Sequence, residues 1–159
     1  MPLLTESSLF DSVFGLPLHP LAVHAVVVLV PLAALGAVVM VVSRRLARRY
    51  GGLIVAACMA SFIASIVAKE AGVSLASRVG VTAQHAQLGN AVPILALILA
   101  LGLIGFWLVD RGIPANRSRP WWLQVAAVAL IVIAVLATVW VVGAGHSGTE
   151  SVWQDLTGK

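Results

Sequence analysis

The chain has 159 residues, of which 60% are hydrophobic and 10% are charged, and its formal net charge is +4. An ordinary soluble domain has about 25% charged residues, and a chain this short buries too little of its surface to hide so much apolar material. The composition therefore excludes a water-soluble globular domain, a disordered chain and a nucleic-acid-binding domain. It indicates an integral membrane protein whose first partner is the lipid bilayer.

Four apolar segments are long enough to cross a membrane. A spanning helix needs about 20 mostly apolar residues, because the hydrocarbon layer is about 30 Å thick. The segments that qualify are residues 21–42, 53–71, 88–109 and 121–142. They lack the alternation of apolar and polar residues that membrane β-barrel strands show. In lipid, their backbone hydrogen bonds can therefore be made only within helices. The sequence predicts an all-α four-helix bundle, a single membrane domain over residues 1–159 with outer tails at 1–18 and 146–159.

Basic residues give the predicted bundle an orientation. Seven of the ten lie in the first and third connections, and the tails and second connection hold the other three. The positive-inside rule places the arginine-rich connections in the cytoplasm and both termini outside. We expect the arginines of the first connection to act only as an anchor at the inner membrane face.

Three segments at the predicted outer face lie outside the spans or at the end of one. The second connection, residues 72–87, is long enough for a short helix on the membrane surface, and the apolar pattern from Leu4 to Phe14 fits another. Gly143 and Gly145 are expected to end the fourth span, because glycine frees the backbone to turn.

All four histidines fall on the predicted outer face. His19 and His24 begin the first span, His85 precedes the third and His146 follows the fourth. His24 lies about one turn inside its span, where polar groups are costly and are usually functional. His19 precedes Pro20, which suits a first helical turn, so His19 is expected in a cap or loop. Positions 19 and 24 are about 140° apart on a helical wheel, so a straight helix would not point both at one ligand.

Imidazole is the commonest side-chain metal ligand and an axial ligand of haem iron. The pattern favours a cofactor site that holds haem b, with His24 and His85 as first candidates, His146 next and His19 last. An alternative is a zinc, copper or iron ion, whose candidate ligands are His24, His85, His146, Glu70 and Glu150. Two other interpretations of the histidine cluster remain. The cluster transfers protons, or it binds no cofactor and only ties the helix ends together.

No catalytic residue is predicted. The chain has no nucleotide-binding motif, and the run from Gly145 to Gly148 lacks the spacing of a nucleophile elbow around Ser147. We expect no independent catalytic activity. The rival to a cofactor-binding protein is a non-catalytic accessory subunit of a larger membrane complex, packed through small-residue faces. Its partners would be subunits of a respiratory complex or further copies of this chain.

Three motifs together resemble a known family. They are His19-Pro20-Leu21-Ala22-Val23-His24, then His85 with Leu88-Gly89, and the ending Gly145-His146-Ser147-Gly148-Thr149-Glu150-Ser151-Val152-Trp153. The chain resembles, over about residues 15–155, a bacterial family of predicted four-span membrane proteins catalogued as a domain of unknown function. The resemblance implies a four-helix membrane domain of the bacterial inner (plasma) membrane, with the four histidines among its signature residues. Some members are fused to Rieske-type iron–sulfur domains, which implies a link to respiratory electron transfer.

Overall fold

The structure, a computed structural model, describes residues 12–13, 15–79 and 81–157, with side chains described within 15–79 and 81–150. A short antiparallel hairpin of β1 (Ser12–Val13) and β2 (Leu16–Pro17) precedes the helices. In the described chain the helices are α1 (Leu18–Val42), α2 (Arg44–Val79), α3 (Ala83–Gly112) and α4 (Trp121–Thr157). All four are long and apolar enough to span a membrane, so the predicted all-α, four-span architecture is confirmed.

The helices form a cyclic bundle in which each helix packs against its two neighbours in sequence, and α4 closes against α1. Helices α1 and α3 therefore lie diagonally opposite each other. Both begin at the end of the bundle that carries the histidines, which we call the histidine end. Both finish at the opposite end, where most of the arginines lie and which we call the arginine end. Short connections between antiparallel neighbours are typical of such bundles.

Small side chains fill much of the bundle interior. Alanines such as Ala33, Ala37 and Ala100 are at most 1% exposed, whereas Leu53 and Leu101 are 70% and 57% exposed on the outer surface. Lipid is as apolar as leucine, so helix association in a membrane depends on close packing rather than on removal of apolar surface from water. The alanines allow close backbone approach in the interior, where larger side chains such as Met40 and Leu103 are also buried, and many other large apolar side chains face outward.

The helices continue past the predicted spans at the histidine end. Helix α2 runs to Val79 and α3 begins at Ala83, so the expectation of a long second connection over residues 72–87, with room for a surface helix, was wrong. The 36 residues of α2 extend about 54 Å at 1.5 Å per residue. Hydropathy identifies only the part of a helix that lies in lipid. A helix can continue beyond that part because its backbone hydrogen bonds are made within the helix itself.

Helix α4 likewise runs through Gly143 and Gly145 to Thr157. The expectation that these glycines end the helix was wrong, because both lie against other helices rather than at a turn: a Cβ on Gly143 would lie 3.6 Å from Leu88. Of the predicted tail helix from Leu4 to Phe14, only residues 12–13 are described, and they form strand β1.

A buried ion pair closes the arginine end. The carboxylate of Asp110, 1% exposed, accepts two hydrogen bonds from Arg119, with Nε–Oδ1 and Nη2–Oδ2 distances of 2.8 and 3.0 Å. The Nε atom of Arg44 lies 3.4 Å from Oδ1 of the same carboxylate. Arg119 also donates to the carbonyls of Met40 and Val41, which have no partner within the last turn of α1.

The arginines expected in the first connection belong to helix α2, which begins at Arg44 rather than near residue 53. They also do more than anchor the chain to lipid. Arg44 and Arg48 both donate to the carbonyl of Ile113, which follows the end of α3, at 3.1 and 2.7 Å. The expectation that they act only as an inner-face anchor was wrong, because the ends of α1 and α3 present unpaired carbonyls that attract guanidinium groups.

Candidate functional site

Two histidines occupy equivalent places in the two helical hairpins. His19, in the first turn of α1, has Nδ1 2.8 Å from the carbonyl oxygen of Ala68 in α2. His85, in the first turn of α3, has Nδ1 3.0 Å from the carbonyl oxygen of Ala144 in α4. A carbonyl oxygen only accepts hydrogen bonds, so Nδ1 is the donor in both contacts, and in a neutral ring Nε2 would keep its lone pair.

A glycine makes room for each ring. A Cβ on Gly72 would lie 2.9 Å from Cε1 of His19, and a Cβ on Gly148 would lie 2.9 Å from Cε1 of His85. Each glycine follows the accepting carbonyl by four residues, one helical turn later. The two hairpins therefore use the same local arrangement, in which a histidine of the first helix lies over a glycine of the second.

The sequence contains a signal for this arrangement that the histidine positions alone do not reveal. The accepting segments are Ala68-Lys69-Glu70-Ala71-Gly72 and Ala144-Gly145-His146-Ser147-Gly148. Both have alanine first, a small residue fourth and glycine fifth. Comparison of the two halves would have found Ala68, Gly72, Ala144 and Gly148, which sequence reasoning missed because backbone carbonyls and glycines carry no recognisable chemistry of their own.

The two rings meet across the bundle. The centroids of the His19 and His85 rings are 6.1 Å apart, with an interplanar angle of 87°. The sequence predicts His19 in a cap or loop and as the last of the four ligand candidates, but His19 lies inside α1. That expectation was wrong because the helix starts at Leu18, and the His19 side chain turns inward to reach the α2 carbonyl.

A cavity of about 590 Å³ opens beside the two rings at the histidine end. Small-molecule sites typically enclose about 300–1,000 Å³ with mostly apolar walls. Most of its walls are apolar, and its polar or titratable lining residues are His19, His24, Lys69, His85, Asn90 and Thr149. A smaller pocket of about 60 Å³ shares several of these walls and reaches Ser65 and Val92. The site is therefore a largely apolar chamber with a few polar groups.

His24 lies at the exposed rim of this cavity. Its Nδ1 is 2.6 Å from the carbonyl oxygen of Pro20 in its own helix. His19 and His24 both line the cavity, although the helical wheel separates them by about 140°. A cavity this wide accepts side chains from a broad arc of α1.

The other predicted ligands lie outside the cavity walls. The His146 side chain is 75% exposed, and its Nε2 lies 3.2 Å from Glu150 on the same helix. Glu70 lies 3.6 Å from the ammonium group of Lys69. Among the described side chains, no three His, Cys, Asp or Glu residues lie together as ligands of one metal ion. The structure brings together His19 and His85, and it does not bring the predicted ion-binding set into one group.

No curated protein and no solved structure matches this chain. A family model described as "Predicted membrane protein (DUF2231)" matches residues 15–159, a range that contains all four helices. The description names no activity, so it adds nothing to the chemistry of the histidine pair. It does confirm the resemblance seen in the sequence, and the chain belongs to the DUF2231 family of predicted membrane proteins.

Proposed function

We propose that this protein binds haem b between its helices at the histidine end, with Nε2 of His19 and Nε2 of His85 as the axial ligands. The observation that carries the proposal is the pair of rings, each held by an Nδ1 hydrogen bond to a backbone carbonyl, on one cavity. Histidines that bind metals almost always donate their other ring N–H in this way, which fixes the tautomer and the ring orientation.

The number of donors favours haem over a bare ion. A structural zinc site needs four ligands, and a catalytic one needs three from the protein. Haem iron already has four porphyrin nitrogens, so two histidines complete its coordination. The described side chains supply such a pair and no group of three.

The dimensions of the site also suit this group. The centroids of the His19 and His85 rings are 6.1 Å apart, so the two rings are near enough to each other to reach one iron ion. The apolar walls of the cavity suit the porphyrin. An iron held by both histidines would have no open position for a substrate, so it would supply one-electron transfer rather than catalysis.

The distribution of charges supports a location for the proposed haem. Seven of the ten basic residues lie at the arginine end, which the positive-inside rule assigns to the cytoplasm. The haem then lies near the outer face of the bacterial inner membrane. A haem held there would supply one-electron transfer to a partner in the respiratory chain, either a subunit of a larger complex or a further copy of this protein.

The optical spectrum of the protein tests the proposal. The protein is purified in mild detergent from its native membrane, or titrated with haem, and its spectrum is recorded before and after reduction with dithionite. We expect a sharp α-band on reduction and loss of this low-spin spectrum in His19→Ala and in His85→Ala. The matched control is His146→Ala, which removes an exposed histidine from the same end and leaves the spectrum unchanged.

Other results contradict haem binding and identify what replaces it. Stoichiometric zinc or copper in a colourless protein, lost in His19→Ala, assigns the site to a bare ion. A protein with neither haem nor metal that co-purifies with large partners, even as the His19→Ala/His85→Ala double variant, is the accessory subunit of the rival hypothesis.

A further inference from the structure

The cavity is asymmetric although the histidine pair is symmetric. Aligning His19 with His85 pairs Val23 with Gly89 and His24 with Asn90, and aligning Ala68 with Ala144 pairs Lys69 with Gly145. All six of the paired residues line the cavity. The wall formed by α1 and α2 thus carries a cation and a titratable imidazole, whereas the wall formed by α3 and α4 carries two glycines and a neutral amide.

The wall formed by α3 and α4, which we call the glycine wall, leaves space that the chain itself does not use. A Cβ on Gly89 would meet nothing within 4 Å, and a Cβ on Gly145 would meet only Val27, at 3.9 Å. Glycine inside a helix is less favourable than alanine. At Gly89 and Gly145 an added Cβ would cause no clash, so packing within the chain does not explain why glycine is present. The missing side chains widen the cavity next to α3 and α4.

The opposite wall offers a charge for an anion. Lys69 lines both the cavity and the smaller pocket, and its side chain is 40% exposed. Its ammonium group lies 3.6 Å from Glu70, which does not line the cavity. Among the described side chains, the charged groups that line the cavity include a lysine and no carboxylate, so the rim is suited to a carboxylate of the ligand.

We propose that the site selects a flat apolar ligand with carboxylates on one edge and binds it in one orientation, with the carboxylates at Lys69 and His24 and the flat body against Gly89 and Gly145. This inference rests on the proposed haem function and adds the ligand class and its direction. A porphyrin whose carboxylates are on one edge meets both requirements.

The first test compares two porphyrins. Purified protein is titrated with iron protoporphyrin IX and with its dimethyl ester, which has no free carboxylate. Lys69→Met should weaken binding of the free acid by about threefold to fivefold, a modest loss because Lys69 is partly exposed. Binding of the ester should not change, and Lys69→Arg should restore most of the affinity for the free acid.

The second test fills the glycine wall. Gly89→Leu should abolish binding of both porphyrins and leave helix content and thermal stability intact, because the added atoms project into free space. The matched control is Gly105→Leu, which lies on the same helix, away from the cavity, and where a Cβ would also meet nothing within 4 Å. Gly105→Leu should bind both porphyrins normally.

The outcomes separate the two proposals. If the wild type binds neither porphyrin, the haem function fails, and the inference fails with it. If the wild type binds haem through His19 and His85 but Lys69→Met affects acid and ester equally, or Gly89→Leu still binds, the haem function stands and the orientation is wrong.

Discussion

The imidazole of His19 meets that of His85 with 6.1 Å between ring centroids, although the two residues lie on helices that are diagonal in the bundle. Neither ring is held by the helix that carries it. Each is held by a carbonyl of the next helix in sequence, Ala68 for one and Ala144 for the other. The geometry of the pair therefore depends on the positions of α2 and α4, and this dependence can be tested away from the histidines.

The glycines beneath the rings should control ligand affinity. Gly72→Ala and Gly148→Ala each place a methyl group 2.9 Å from a histidine carbon, so the ring must shift and its hydrogen bond to the carbonyl must weaken. Loss of such an outer-shell partner typically costs about 10- to 100-fold in metal affinity. Haem titration of the purified variants measures this loss.

The control for this experiment is Gly143→Ala, whose Cβ would lie at an ordinary 3.6 Å from Leu88. It should bind haem as the wild type does. Equal affinity in all three glycine variants would show that the carbonyl bonds do not orient the ligating rings.

The ion pair at the arginine end should stabilise the fold without affecting the histidine end. Asp110→Asn removes the charge that faces Arg119 and Arg44, and it leaves two guanidinium groups partly buried. Breaking a buried pair in this way costs about 3–5 kcal/mol. We expect a large fall in the thermal unfolding temperature in detergent. The control is Arg45→Gln, an exposed change in the first turn of α2 at the same end of the bundle, which should shift the unfolding temperature little. An equal shift in both variants would contradict the role assigned to the ion pair.

Two adjacent glycines of α2 should respond in opposite ways. A Cβ on Gly51 would lie 2.1 Å from Nε1 of Trp107, whose indole donates to the carbonyl of Ala47 at 3.2 Å. Gly51→Ala should therefore destabilise the protein by about 1–3 kcal/mol through overpacking. Gly52→Ala, whose Cβ would lie 3.7 Å from the same ring, should be neutral or stabilising by up to about 1 kcal/mol. Thermal unfolding of both variants checks the pair, and destabilisation by Gly52→Ala alone would contradict the packing.

The orientation in the membrane is open to chemical labelling. Val81→Cys places a thiol in the connection at the histidine end, and Ala115→Cys places one in the third connection at the arginine end. We expect a membrane-impermeant maleimide to label Val81→Cys in intact cells, and Ala115→Cys only after permeabilisation, because the arginine-rich side is retained in the cytoplasm. The wild type is the control, since its Cys58 is 1% exposed and should not react. The reverse pattern would place the histidine pair on the cytoplasmic side.

Particular residues show how far sequence reasoning reached. The spans around Val30 and Leu99 follow from hydropathy, because lipid demands long apolar helices whatever else the protein does. His85 was among the first candidates for the site, and the structure places it on the cavity. The sequence does not predict the position of the His19 ring, because the neighbouring Pro20 suggests a cap. The ring turns inward to a carbonyl that lies 49 residues later in the chain. Haem binding, a respiratory partner and the bacterial inner membrane stay predictions.

The sequence by itself determined the membrane class, the four helices and the family, because these depend on composition, segment length and local motifs. Only the tertiary structure decided which histidines meet, where the helices end and why Asp110 is buried with Arg119. Hydropathy is an average over a segment and does not fix the rotation of a helix about its axis. Rotation and contact come from glycines, carbonyls and guanidinium groups on neighbouring helices, so they depend on residues far apart in the chain.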